Sequence, residues 1–163
     1  MSKADYPVTP AVRVLRERNV PFIPHLYNYE EKGGTRVSSQ AMNVPEHYVV
    51  KTLVMETDQR KPLLVLMHGD FEVSTKELAR IIGVKRIEPA AEAAAQKYTG
   101  YIFGGTSPFG TRMPLPVYAE KTIFDLSRIY INGGKRGFLV EINPDDMRKV
   151  LAVTVVAVAI PSS

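Results

Sequence analysis

The chain has 163 residues, 45% of them hydrophobic and 23% charged, with a formal net charge of +4 and no cysteine. These values fit one folded domain with its own core and exclude a disordered or fibrous chain. They also exclude disulfides, thiolate metal sites and a cysteine nucleophile belonging to the protein.

In chain order, Thr9-Pro10 reads as an N-cap followed by proline at the first helical position, opening an amphipathic helix that ends near Asn19. FIPHLYNY, from Phe22 to Tyr29, is aromatic-rich and extended, and Ser38 to Met42 is a short helix stopped by Pro45. Val49 to Thr57 and Pro62 to Gly69 are β-rich runs flanking a polar turn, which predicts an antiparallel hairpin. Ser74 and Glu77 have capping-box spacing, with Gly83 at the expected helix stop. Pro89 to Lys97 is alanine-rich and predicts a helix, after which Gly100 releases the chain into a strand from Tyr101 to Phe103. Val117 to Lys121, Ile129 to Asn132, Gly137 to Ile142 and Val153 to Ile160 are the remaining strands, and Asn143-Pro144 opens a last short helix. This order lacks βαβα alternation, so the expected class is α+β: a single compact domain on a mixed, mostly antiparallel sheet. The opening MSKADYPVTP carries no apolar run of signal-peptide length, and Val150 to Ile160 is too short to span a bilayer, so no membrane is expected and the default location is cytoplasmic.

Strand alternation places Lys51 on one face with Val49, Leu53 and Met55, where a core-facing ammonium is costly. Two readings follow: an edge-strand lysine that snorkels to water, or a pocket lysine that donates to an ester carbonyl or a phosphate. GGTSPFG, from Gly104 to Gly110, matches neither a dinucleotide fingerprint nor a phosphate loop, and is a tight connection or a cradle of bare backbone N–H groups. Ser107 lies outside any nucleophile-elbow pattern. NGGKRG, from Asn132 to Gly137, reads as a hairpin with an Asn-Gly turn, and its Lys135 and Arg136 suit a polynucleotide backbone equally well. His25, His47 and His68 lack ligand spacing, so neither a metal nor a cofactor is expected. Tyr27 and Tyr29 alternate onto the face of His25.

TPAVRVLRERNVPFIPHLYNY, VVKTL, ELARIIGVKRIEPA, QKYTGYIFGGTSPFG and YINGGKRGFLVEINPDDM, in this order, resemble the YbaK/ProX family of aminoacyl-tRNA editing domains. The resemblance covers residues 9–160, leaving 1–8 as an N-terminal extension. It implies a partly barrel-like sheet surrounded by helices and a trans-acting deacylase that clears a mischarged amino acid from tRNA, most often tRNA(Pro), with a prolyl-tRNA or other synthetase as an implied partner. Such editing answers a physical need, because a pocket for a small apolar substrate rejects near-isosteres weakly. Carried over by position, Lys51 is the central site lysine and Gly104 supplies a backbone group to the aminoacyl end. Gly105, Thr106, Ser107 and Pro108 shape the pocket, Tyr27 lines its mouth, and Thr52 is a neighbour. The family requires no protein nucleophile: the thiol of a mischarged cysteine, a ribose hydroxyl or water serves. Asn132, where cysteine-directed members tend to have serine, is expected to bear on specificity, as are Leu139 and the departure of GGTSPFG from GGISPxG. Cysteine leads as the substrate, with alanine, serine and threonine open. A non-catalytic module for a tRNA acceptor end or a synthetase, and a general polyanion binder, are the competing readings.

Overall fold

A computed structural model describes residues 5–162. The helix α1, Pro10–Glu17, is capped as expected, with Thr9 Oγ1 accepting from the Val12 N–H at 3.1 Å. The same hydroxyl donates to the carbonyl of Gly133 at 2.5 Å, so the cap also fastens the helix to a distant strand. Ala11, Val12 and Leu15 are fully buried. Tyr6, in the expected extension, stacks on Phe138 at 5.8 Å; the first four residues of that extension lie outside the described ones.

The strands are β1 Ile23–Leu26, β2 Val49–Thr57, β3 Pro62–His68, β4 Phe71–Val73, β5 Ile87–Pro89, β6 Val117–Glu120, β7 Ile129–Lys135, β8 Phe138–Ile142, β9 Val153–Val156 and β10 Ala159–Pro161. The helices α2 Gly34–Met42, α3 Thr75–Ile82 and α4 Glu92–Thr99 lie between them. An 8-stranded sheet runs β1-β8-β7-β2-β3-β6-β9, with β5 also pairing β2, and β10 pairs β4 in a second sheet. The pairs β2–β7, β3–β6 and β6–β9 are parallel and the rest antiparallel, which is the mixed sheet of an α+β domain.

Strand β3 explains the two cores. Its PLLVLMH run is buried on both faces, as a central strand should be. Leu64 and Leu66 enter one core with α1, Ile131 and Val140. Leu63, Val65 and Met67 enter the other with Leu78, Ile87 and Val156.

Several local expectations change. Pro89 ends β5, opposite Met55, rather than starting a helix, and α4 begins at Glu92. Tyr101 to Phe103 is not a strand. Its first N–H is taken by Thr99 Oγ1 at 3.1 Å, the Tyr101 hydroxyl donates to the Phe109 carbonyl at 2.6 Å, and a turn closes from Gly105 N–H to Ile102 carbonyl at 2.9 Å. The capping box is half formed: Ser74 Oγ accepts from the Glu77 N–H, but the Glu77 carboxylate pairs with Arg80, and the Ser74 N–H donates to the Val158 carbonyl. The last strand splits in two because the buried Glu120 carboxylate accepts from the N–H groups of Val158 and Ala159 at 2.7 and 2.9 Å, steering the chain from β9 into β10. Residues 144–149 form a 3-10 helix, capped by Asn143.

Candidate active site

The site begins with an interruption in the pairing of β2. Towards its start β2 pairs with β7 as Val49↔Tyr130 and Val50↔Ile131, and towards its end with β5 as Met55↔Pro89. Between these contacts no strand among the described residues covers that side of β2. The backbone directions are set by two bonds: Gly69 N–H donates to Val49 carbonyl towards β3, whereas Ala90 N–H donates to Val54 carbonyl on the side of β5. Alternation therefore turns the peptide groups of Thr52 into the gap.

Strand β7 opens the gap by bulging between Asn132 and Lys135. Continuing the register would set Asn132 beside Lys51, and pairing stops just before that rung. The bulge is held by the Asn132 side chain. Its Oδ1 accepts from the N–H groups of Gly134 and Lys135 at 2.7 and 3.1 Å, and its Nδ2 donates to the carbonyls of Gly104 and Lys135, each at 3.2 Å. The expected Asn-Gly turn is thus displaced: β7 runs on to Lys135 and the chain reverses at Arg136-Gly137. Asn132 instead ties the bulge to the Gly104 loop.

The gap opens into a cavity of about 570 Å³ whose lining includes Tyr27, Tyr29, Lys51, Thr52, Gly104, Thr106, Asn132 and Leu139. Most of the sequence-derived set therefore meets at one place. Lys51 is half-buried, and β2 has neighbours on both sides, so the edge-strand reading is replaced by that of a lysine beside a gap in a sheet. Its ammonium sits 3.5 Å from the Gly69 carbonyl, at the long limit of a hydrogen bond. Burial pushes its pKa below the ordinary lysine value, and Glu72, Glu46 and Asp70 only partly oppose the shift. Thr52 Oγ1 is buried without a hydrogen-bond partner among the described residues, an unmet polar group at the cavity wall. Burial and the neighbouring Tyr29 raise the Tyr27 pKa, so its hydroxyl stays protonated at neutral pH.

The GGTSPFG loop divides. Gly104 has φ +87°, and a side chain there would strike the Tyr29 hydroxyl at 2.5 Å. A Cβ on Gly105 would lie 2.8 Å from the Arg136 backbone nitrogen, and its own N–H is already used in the turn to Ile102. That glycine permits close approach rather than presenting a free donor. Ser107 and Pro108 are buried and do not line the cavity; Ser107 Oγ accepts from the Phe109 N–H at 3.1 Å and shapes the turn. Lys135 is exposed at the end of the bulge and does not line the cavity. Arg136 is partly engaged: its Nε donates to the Phe103 carbonyl at 2.9 Å and its guanidinium lies 5.0 Å from the centre of the Tyr29 ring.

Sequence spacing missed the meeting of two histidines. His47 and His68 stack at 3.7 Å, and Asp70 lies 2.9 Å from His47 Nδ1. Their potential ligand atoms, with that of Asp70, fall within 4.8 Å of one another. Those atoms already have protein partners: His68 Nδ1 donates to the His47 carbonyl at 2.8 Å, and its Nε2 meets Thr122 Oγ1 at 2.7 Å. The cluster underpins the turn that carries Gly69. His25, by contrast, pairs with Glu141 at 2.8 Å, away from the cavity lined by Tyr27 and Tyr29.

An α+β domain whose interrupted sheet forms a cavity around Lys51, with no cysteine and neighbouring tyrosines and glycines, defines the class of site. Residues 32–150 match the aminoacyl-tRNA editing domain family, and the chain belongs to it. EbsC of Enterococcus faecalis, named as a candidate Cys-tRNA(Pro)/Cys-tRNA(Cys) deacylase, is 28% identical over 138 residues, covering 84% of each chain. The proline-tRNA ligase of Streptococcus equi subsp. equi is 30% identical over 105 residues, which are 64% of this chain but only 17% of the ligase. The crystal structure of a candidate trans-editing enzyme for prolyl tRNA synthetase superposes with a TM-score of 0.79 at 20% identity, covering 96% of this chain and 100% of that one. The fold is shared too with the hypothetical protein APE2540, at a TM-score of 0.84 and 17% identity over 93% of this chain and 99% of that one. Among the described residues, no helix is long and apolar enough to cross a membrane.

Proposed function

We propose that this protein is a trans-acting deacylase that removes a mischarged amino acid from tRNA, with cysteine on tRNA(Pro) as its leading substrate. The observation that supports this most is the gap between β7 and β5, where Lys51, the backbone of Thr52 and the Gly104 loop face one cavity. The family match supports the reaction class, and the likeness to EbsC is the support for cysteine as the amino acid.

In this reading the aminoacylated nucleotide enters past Tyr27, and Lys51 donates from its ammonium to the ester carbonyl or the adjacent phosphate. Charge developing on the carbonyl oxygen is then met by a donor already in place, with little reorganisation. Thr52 offers a backbone N–H on the gap side of β2. With cysteine as the amino acid, its thiol gives up a proton and attacks its own carbonyl carbon. The carbon–oxygen bond to the ribose breaks, and the ribose oxygen takes up a proton. The attack is intramolecular, so the pocket acts chiefly by orientation, and no protein nucleophile is consumed. For an amino acid without a thiol, water or the neighbouring ribose hydroxyl takes that place. Leu139 and the Asn132-held Gly104 loop bound the space for the side chain. A synthetase that releases the mischarged tRNA is the implied partner.

The test is incubation with tRNA(Pro) carrying cysteine, alanine, serine or threonine, following loss of the ester against an enzyme-free control. Cysteine is expected to be released fastest. Binding of the panel without ester loss from any member would reject the deacylase in favour of a non-catalytic acceptor-end module.

A further inference from the structure

Phe103 is a large aromatic side chain with 63% of its surface exposed, at the lip of the cavity. It is held there from three directions. Its carbonyl accepts from Arg136 Nε at 2.9 Å, while Arg136 itself lies over the Tyr29 ring. Gly104, which follows it, is fixed at φ +87° against Tyr29 and through its carbonyl to Asn132. The preceding Ile102, 45% exposed, takes part in the turn to Gly105. Exposing this ring forgoes the burial that a phenylalanine normally gains, and the elements that hold the loop also build the site.

Lys32 lines the same cavity, as does Glu30, and Arg136 is bonded to the Phe103 carbonyl with the exposed Lys135 preceding it, so positive charges stand near the ring. An aromatic face beside positive charges is the arrangement that binds single-stranded nucleic acid, each base stacking on a ring while the backbone follows the charge. At about 570 Å³ the cavity has room for one terminal aminoacyl-nucleoside, a ligand of the size such pockets enclose. The lip is then left for what precedes it. Resting on the function proposed above, we infer that Phe103 is a stacking platform for the unpaired base next to the aminoacylated nucleotide, and so a positioning residue for the acceptor end.

The experiment compares Phe103→Ala and Phe103→Trp with the parent protein on two substrates, cysteinyl-tRNA(Pro) and the cysteinyl ester of adenosine alone, which lacks the preceding base. For Phe103→Ala, KM for the tRNA is expected to rise roughly five- to hundredfold, with kcat changed less than about twofold, uniform binding being what is lost. The effect on the adenosine ester should be at least about fivefold smaller than that on the tRNA, and Phe103→Trp should restore the parent's KM for the tRNA. Equal effects on both substrates, or none on either, would overturn the inference. The chain has no tryptophan, so Phe103→Trp also reports binding by its emission: uncharged tRNA should quench it and adenosine should not. That arm needs no catalysis, so quenching in a protein that cleaves no ester would reject the deacylase and retain the platform. Absence of quenching at tRNA concentrations shown by filter binding to saturate the protein would reject the platform. A change of oligomeric state in Phe103→Ala, seen by sedimentation, would assign the ring to a second copy of the chain and likewise overturn it.

Discussion

At the scale of single residues, Lys51 shows how a functional group opposes stability. Burial lowers its pKa, so the fold disfavours the ammonium relative to the unfolded chain. The sign follows: the cost is present at neutral pH and falls away as pH rises from the lowered value towards that of an ordinary lysine. Lys51→Met removes the charge while keeping much of the stem, so the folded protein is expected to be as stable as the parent or slightly more so. Deacylation, if Lys51 meets the developing charge, should fall at least about 100-fold. Thermal melting and single-turnover ester loss on the same preparation test this; a variant that melts much lower, or that turns over normally, would sink the assignment. The alternation of VVKTLVMET placed Lys51 on its face correctly, yet could not reveal the interrupted pairing beside it. That gap depends on β7 and β5, which lie far along the chain and pair with opposite ends of β2. The residue was legible, and its surroundings were not.

At the scale of elements, the bulge in β7 carries more of the site than its hairpin sequence suggested. NGGKRG resembles a simple turn because Asn-Gly is the commonest short hairpin signal. Here the Asn132 amide bonds to backbone instead and keeps both the bulge and the Gly104 loop in place. The cap of α1 joins the same arrangement, since the Thr9 hydroxyl donates to Gly133 within the bulge while accepting from Val12. The sequence identified Thr9 as a cap by its neighbour Pro10, but its second bond spans most of the chain and leaves no local signal. Thr9→Ala should therefore cost more than an isolated cap. The expected loss is about 2 kcal/mol, the upper end for such caps, because the buried Gly133 carbonyl also loses its donor. Thr9→Ser, which keeps the hydroxyl, should recover most of it. Urea unfolding of the two variants measures the difference; an equal loss in both would assign the effect to the threonine methyl group.

At the scale of the whole molecule, the two cores are coupled to the site through β3. This strand buries its side chains on both faces and then delivers His68 and Gly69 at its end, beneath Lys51. Its continuous apolar run was legible as a buried strand. The histidine stack was not, because His47 and His68 lie on separate elements and meet only when the turn folds.

That stack should make stability depend on pH. His68 is fully buried, and its pKa lies below the usual histidine value chiefly because burial disfavours its charged form. The His47 charge adds to this, whereas its bond to the His47 carbonyl and the charges of Asp70 and Glu120 oppose it; Thr122 and the ring of Phe71 complete its surroundings. Well above a pH of about 6.5 the ring is neutral in both folded and unfolded chains and contributes no pH dependence. Below it the unfolded chain binds a proton that the folded one resists, so stability falls as pH decreases until the lowered folded pKa is passed. The slope from this one group can approach but not exceed about 1.4 kcal/mol per pH unit. Glu141 acts lower still: burial raises its pKa, but His25 and Arg128 outweigh that and leave it below the ordinary carboxylate value, so its contribution is lost only under more acidic conditions. Unfolding free energies of the parent and His68→Gln between pH 7.5 and 5.5 isolate the histidine, because the substitution removes the titration whatever it does to stability at pH 7.5. The parent should lose stability more steeply over that interval. Parallel slopes would mean that the buried ring does not resist protonation.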